Sequence, residues 1–263
     1  MKKNILIYTL SFLLLAGCTS KLDFSTPSTP VIPPSGNTPD LIISEVSTAI
    51  NTDKNGGGKR NHYVELYNPT TKSIDLSNYA IGYQATDSTN LGSIPWSFPD
   101  TTDFVHLKGS LANNTCFVIA SPQADPTNVI SKAQLIWGDT STVGASSKAL
   151  SLSGNSAIAL LKRDDAKGAF LLGTIKYSII DVFCSPLVPR IKATYTKAST
   201  RNNYMWPIGD TSNDTRNRTF WRKPSVTAPQ SDWNISNATG NSQWRVSSDK
   251  VWNYTNIGSP TTP

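Results

Sequence analysis

The run Tyr63-Val64-Glu65-Leu66-Tyr67-Asn68-Pro69-Thr70 constrains this chain more than any other stretch. Its side chains alternate with a period of two, so Val64 and Leu66 point to one face and Tyr63, Glu65 and Tyr67 to the other. That pattern is a half-buried strand. The strand then stops, because Pro69 has no N–H for a ladder and Asn68 favours a turn. An apolar run, Leu41 to Val46, precedes it as a first strand. Ser73 to Tyr83 follows as a turn and a third strand, with Asp75 and Asn78 as turn formers. Strands at this spacing, with no heptads and no fixed repeat, indicate an all-β sandwich.

Composition agrees with that class. Hydrophobic residues are 38% and charged residues 16% of the chain, and Ser, Thr and Asn are abundant. A helical bundle needs more Glu, Lys and Arg on its surface, whereas an extracytoplasmic β-protein does not. The net charge is +6, and removing Lys2 and Lys3 leaves +4. A mildly basic surface of this kind is ordinarily just solvated.

The N-terminus has its own logic. Lys2 and Lys3 precede an apolar run, Ile5 to Leu15, too short for the roughly 20 residues of a bilayer span. This is the pattern of a secretory signal peptide. It ends in Leu15-Ala16-Gly17-Cys18, which resembles the lipobox of bacterial lipoproteins. The resemblance implies cleavage between Gly17 and Cys18 and a diacylglyceryl group on the Cys18 thiol. Acyl chains such as palmitate contribute about 0.8 kcal/mol per buried CH₂, so two or three anchor durably. The organisation expected is therefore residues 1–17 as signal peptide, 18–40 as lipidated N-terminus and tether, and 41–263 as the folded domain. Pro27, Pro30, Pro33, Pro34 and Pro39 hold the tether extended. The expected location is the bacterial cell envelope, at an outer membrane or cell surface.

Ile43-Ser44-Glu45-Val46, Tyr63 to Thr70, and Ile74-Asp75-Leu76-Ser77-Asn78-Tyr79 together resemble the opening of a lamin tail domain. That family is an immunoglobulin-like β-sandwich found in nuclear lamins and in bacterial surface and secreted proteins. Leu111 to Ala120, Leu150 to Leu161, Ile179 to Phe183 and Arg218 to Pro224 are similar to its later strands, and Asp232 to Ile235 to its closing strand. The fold implied is an immunoglobulin-like β-sandwich with long loop insertions, since residues 84–105, 121–147 and 185–217 exceed what a compact member carries. Anything particular to this protein belongs in those insertions. Ala124 to Trp137 has helical character. Asn51 to Asn61, containing Gly56-Gly57-Gly58-Lys59-Arg60, reads as a flexible hairpin-like connection, because its spacing does not fit a phosphate-binding loop.

Candidate sites are few. Glu45 and Glu65 sit mid-strand in neighbouring strands. Two close carboxylates suit acid/base chemistry or a hard cation. Held about 5–10 Å apart in an open cleft they would suit glycoside hydrolysis, and beneath a loop they would not. The ordinary reading makes them fold residues, facing solvent or bonded at a sheet edge. Asp164-Asp165-Ala166-Lys167-Gly168 is a turn and lacks the alternating acids of a calcium loop. His62 and His106 have no motif around them, and no Gly-x-Ser-x-Gly occurs. Cys116 and Cys184 lie in apolar runs, as a disulfide pair or as two buried thiols. No metal site or cofactor is indicated.

The C-terminal third holds Trp206, Trp221, Trp233, Trp244 and Trp252, with Arg201, Arg218, Arg222, Lys223, Arg245 and Lys250 among them. Such interleaving can stack on bases or sugars and neutralise phosphates, which would make Arg201, Trp206, Arg218, Trp221, Arg222, Lys223, Trp233, Trp244 and Arg245 a binding surface. The alternative places the tryptophans as plugs of the sandwich with arginines stacked over them. The sequence as a whole reads as a monomeric, non-catalytic binding or adaptor module. Its expected partners are the membrane, through the lipid, and an envelope protein, a polysaccharide or extracellular nucleic acid.

Overall fold

The computed structural model describes residues 38–52, 58–86, 92–152, 154–192, 204–208, 215–248 and 254–259. The first strands are β1 (Ile42–Thr52), β2 (Gly58–Tyr67), β3 (Ile74–Asp75), β4 (Tyr79–Ala85), β5 (Phe104–His106), β6 (Ser110–Leu111) and β7 (Cys116–Ala120). Then come β8 (Leu135–Ile136), β9 (Ser156–Arg163), β10 (Phe170–Leu172), β11 (Ile175–Phe183), β12 (Ile191–Lys192) and β13 (Tyr204–Met205). The last are β14 (Thr219–Arg222) and β15 (Trp244–Val246), separated by a one-turn helix α1 (Trp233–Ser236).

Two sheets make the sandwich. One has six strands in the order β15-β14-β1-β2-β7-β8, and the other five in the order β10-β11-β9-β4-β5. All their pairings are antiparallel except β7 with β8. Between the sheets lies the main core, built from Ile43, Val46, Val64, Leu66 and Ile119 on one side and Ile81, Tyr83, Ile158, Leu160 and Val182 on the other. The spacing of three between Ile43 and Val46 fits one face because a β-bulge interrupts β1 between Ile43 and Glu45. A matching bulge interrupts β11 between Ile179 and Asp181.

The outer faces are covered too. Phe98 packs over Ala80, Ala159 and Leu161 on the five-stranded sheet. Ala124, Val129 and Ile257 cover Tyr63, Val118 and Ala120 on the six-stranded sheet. Covering both faces explains why Ala157 to Leu161 is apolar at every position.

Two expectations are corrected. Asp232 to Ile235 is not the closing strand. The Asp232 side chain accepts the Asn234 N–H at 2.9 Å and so caps α1 instead, and β15 closes the sheet. Ala124 to Trp137 is not a helix. The Asp125 carboxylate takes the N–H groups of Thr127 and Asn128, both at 2.9 Å, which leaves only a 3-10 turn (Ile130–Lys132) before β8. Asn51 to Asn61 is the expected hairpin connection, with β1 running through Thr52, β2 beginning at Gly58 opposite it, and residues 53–57 outside the described residues.

Candidate functional site

Glu45 and Glu65 are direct cross-strand partners on β1 and β2, in the middle of the six-stranded sheet. They share its outer face with Trp221 of β14 and Val118 of β7. Neither faces solvent nor lies at an edge, which corrects that expectation: Glu45 is 1% exposed and Glu65 2%. Residues 254–259 are responsible, since this segment crosses the face above them.

Each of the four carboxyl oxygens has a donor. Glu45 Oε1 accepts the Tyr63 hydroxyl, and Glu45 Oε2 accepts Asn256 Nδ2 at 2.9 Å. Glu65 Oε1 accepts the Ser44 hydroxyl and Oε2 the Gly258 N–H, both at 2.7 Å. The bulge supplies Ser44, the residue that the ladder of β1 leaves over. Burial, and then the charge of Glu65, push the Glu45 carboxyl up to about 8. Burial raises Glu65 as well. Beside the pair is a cleft of about 80 Å³, reached by Ser44, Trp221, Lys223 and Asn256. That volume admits water but no sugar ring. Among the described residues no group of three His, Cys, Asp or Glu is placed to hold a metal ion.

The four described tryptophans of the C-terminal third are core. Trp206, Trp233 and Trp244 are 0%, 1% and 4% exposed, and Trp221 is 7%. Phe183 gathers three rings around itself, with centroids of Phe220, Trp233 and Trp244 at 4.9, 5.6 and 5.2 Å. Arg222 is buried, its guanidinium 4.3 Å from the Trp244 ring centre. The expected binding surface is corrected on this ground, since five of its nine residues are shut away from any ligand. Of the rest, Arg218 and Lys223 are half-buried and Arg245 is exposed. Arg201 lies outside the described residues, as do Gly17, Cys18, Lys250 and Trp252.

Cys116 and Cys184 are both free and buried. His62 is fully buried and accepts the Leu152 N–H at Nδ1, 2.9 Å away. Burial, aided by Arg60, lowers it to about 3. His106 is half-buried, with Nδ1 2.8 Å from the Tyr177 hydroxyl. Asp164 forms the turn after β9 and accepts the Lys167 N–H at 2.9 Å.

One feature was not read from the sequence as a site. Within the insertion 84–105, Trp96 stacks on Phe98 at 5.7 Å, and Phe98 meets Phe170 of β10 edge-on at 5.6 Å. Phe98 can lie flat there because β4 carries Gly82 beneath it, where a Cβ would stand 2.5 Å from the ring. With Pro99 and Leu171 these rings line a shallow cleft of about 260 Å³ whose lining includes no charged residue. The signal available was Trp96 and Phe98 in an insertion that no core strand needed.

Two facing sheets with long loops, filled between and covered outside, define an immunoglobulin-like β-sandwich. The sequence comparison matches residues 34–174, more than half of the chain, to the Lamin Tail Domain. The chain belongs to that family. Among solved structures it is similar to a DUF4876 family protein from Bacteroides thetaiotaomicron VPI-5482, with 12% identity and a TM-score of 0.40. The alignment covers 71% of this chain and 63% of that one, so this chain spans less than two thirds of its length. No curated protein matches the sequence.

Proposed function

We propose that this protein is a non-catalytic binding module, held at a bacterial cell envelope by a lipid on Cys18 and presented on the Pro-rich tether. The observation that carries the non-catalytic reading is the closure of the acid pair. Glu45 and Glu65 are buried, each oxygen is engaged, and the adjoining cleft is too small for a substrate ring. A general acid must reach the group it protonates, and neither carboxyl does. The anchor rests on Leu15-Ala16-Gly17-Cys18.

The ligand class follows from the aromatic cleft. Trp96 and Phe170, half-buried on either side of the buried Phe98, offer ring surface without charge, which suits the apolar face of a neutral sugar better than a phosphate backbone. Nucleic acid would need Trp206, Trp221, Trp233 and Trp244 at the surface, and they are buried.

A screen of the intact protein against neutral polysaccharides and single-stranded DNA tests this reading. Binding to a glycan that Trp96→Ala weakens at least tenfold is expected. Salt-sensitive DNA binding that ignores Trp96→Ala would replace it with the nucleic-acid reading. Turnover of any glycoside, abolished by Glu65→Gln, would overturn the non-catalytic assignment. Cys18→Ala should move the protein from the membrane fraction to the soluble one, and unchanged partition would remove the anchor.

A further inference from the structure

Residues 254–259 are held to the six-stranded sheet by a small set of contacts. Gly258 N–H bonds Glu65 and the Asn256 amide bonds Glu45. The Tyr254 hydroxyl accepts Asn61 Nδ2 at 2.6 Å, and its carbonyl accepts Lys132 Nζ at 2.9 Å. Ile257, 5% exposed, caps the apolar patch of Tyr63, Val118, Ala120, Ala124 and Val129. By contrast, β1 and β2 are laddered to neighbours on both sides. If this face gives way, the segment leaves before the strands do.

We propose that residues 254–259 form a proton-locked strap, closed over Glu45 and Glu65 while the two carboxyls keep at least one proton between them and lifted when both are ionised. Two like charges directly opposite on one sheet face repel each other. Here they do so under a cover that leaves them 1% and 2% exposed. Lifting the strap opens both carboxylates to bulk solvent and bares the apolar patch.

Several elements bring charged and titratable groups toward the pair. From β2 come Tyr63 and Tyr67, and from β7 the Cys116 thiol beside Glu65. From β14 come Arg222, committed to Asp181, and the half-buried Lys223 at the cleft rim. Arg245 of β15 lies one strand further out, opposite Trp221. The strap brings Tyr254, itself beside Asp125 and Lys132. Among the described residues neither carboxyl has a cationic hydrogen-bond partner.

The sign is fixed by linkage. With the strap closed Glu45 holds its proton up to about 8, against an ordinary value of 4.5. Closure therefore takes up a proton between those values, and each pH unit in that window shifts the balance about tenfold toward the open strap. Asn256 has a buried Oδ1 without a partner, so a flipped amide accepts the proton that a neutral Glu45 donates, and serves a glutamine in its place as well.

Hydrogen–deuterium exchange of the full-length protein, corrected for intrinsic rates, tests the strap. From about pH 5.5 to about pH 7.5, protection of residues 254–259 should fall on the order of a hundredfold while Val46 and Val64 stay protected. Glu45→Gln should keep the strap closed at both values. If that variant does not fold, Glu65→Gln, which removes the repulsion but leaves Glu45 buried, should lessen the pH response without abolishing it. Equal protection at both values in the parent protein, or an unchanged pH response in the folded variant, would overturn the proposal. So would a shift of the response by added calcium at fixed pH, because a cation and not a proton would then be the lock.

Discussion

Arg222 of β14 and Asp181 of β11 form an ion pair between the two sheets, their side chains 2% and 0% exposed. Asp181 also accepts the Ile43 N–H at 2.8 Å and the Gln230 N–H at 3.0 Å. Arg222 in turn donates to the Ile43 carbonyl at 3.2 Å and to Gln243. The pair stands beside both β-bulges, at Ile43/Glu45 and Ile179/Asp181. Each bulge turns its strand so that polar backbone can meet across what is otherwise an apolar gap.

Asp181→Ala should therefore destabilise the protein by about 3–5 kcal/mol, because it takes the acceptor from a buried guanidinium and from the Ile43, Val182 and Gln230 N–H groups. Asp181→Asn keeps an acceptor and should cost less. Urea denaturation followed by tryptophan fluorescence measures both.

Stability should have a plateau in pH with a limb on each side. Glu45, raised to about 8 in the fold, contributes stability that is complete below its ordinary 4.5 and is lost as pH rises toward 8. His62, lowered to about 3 from 6.5, contributes stability present above 6.5 and lost as pH falls toward 3. The two slopes, each about 1.4 kcal/mol per unit, oppose one another between 4.5 and 6.5. Above that window stability should decline through Glu45 and below it through His62. Glu45→Gln should flatten the alkaline limb and extend the acid slope up to about 6.5, and His62→Gln should flatten the acid limb and extend the alkaline slope down to about 4.5, as read from denaturation midpoints across pH.

Phe183→Ala should cost about 3–5 kcal/mol, since it opens a cavity between Phe220, Trp233 and Trp244. Loss of near-ultraviolet circular dichroism with retained far-ultraviolet signal would show the aromatic packing going before the sheets.

Gly82→Ala should separate the cleft from the core. The added Cβ meets the Phe98 ring, which must lift from β4 at about 1–3 kcal/mol. Glycan binding, where found, should fall as in Trp96→Ala, while the main core, on the opposite face of β4, keeps its packing. Retention of full binding would separate Phe98 from the ligand site.

The strands were the legible part of this fold. β2 alternates, β9 is continuously apolar, and Asn68-Pro69 marks a boundary, all of it local information. The family resemblance rested on the same local runs. What eluded the sequence was distant or brief. Asn256 reaches Glu45 across 211 residues, and nothing in Tyr254 to Ser259 has a period that betrays a strap. Helix α1 is one turn long, so only its cap at Asp232 could have signalled it. Tryptophans beside arginines look alike whether they face water or one another. Burial decided that here, through Phe183 and Arg222.

Because β1 pairs on one side with β2 and on the other with β14, Glu45 opposite Trp221, the centre of the larger sheet joins the two ends of the folded region. A chain that emerges N-terminus first makes the β1–β2 hairpin early and then waits for nearly all the rest. Until β14 arrives, β1 is an open edge able to pair with another molecule. Such long-range closure slows folding and makes the last strands to appear the ones that end the exposure.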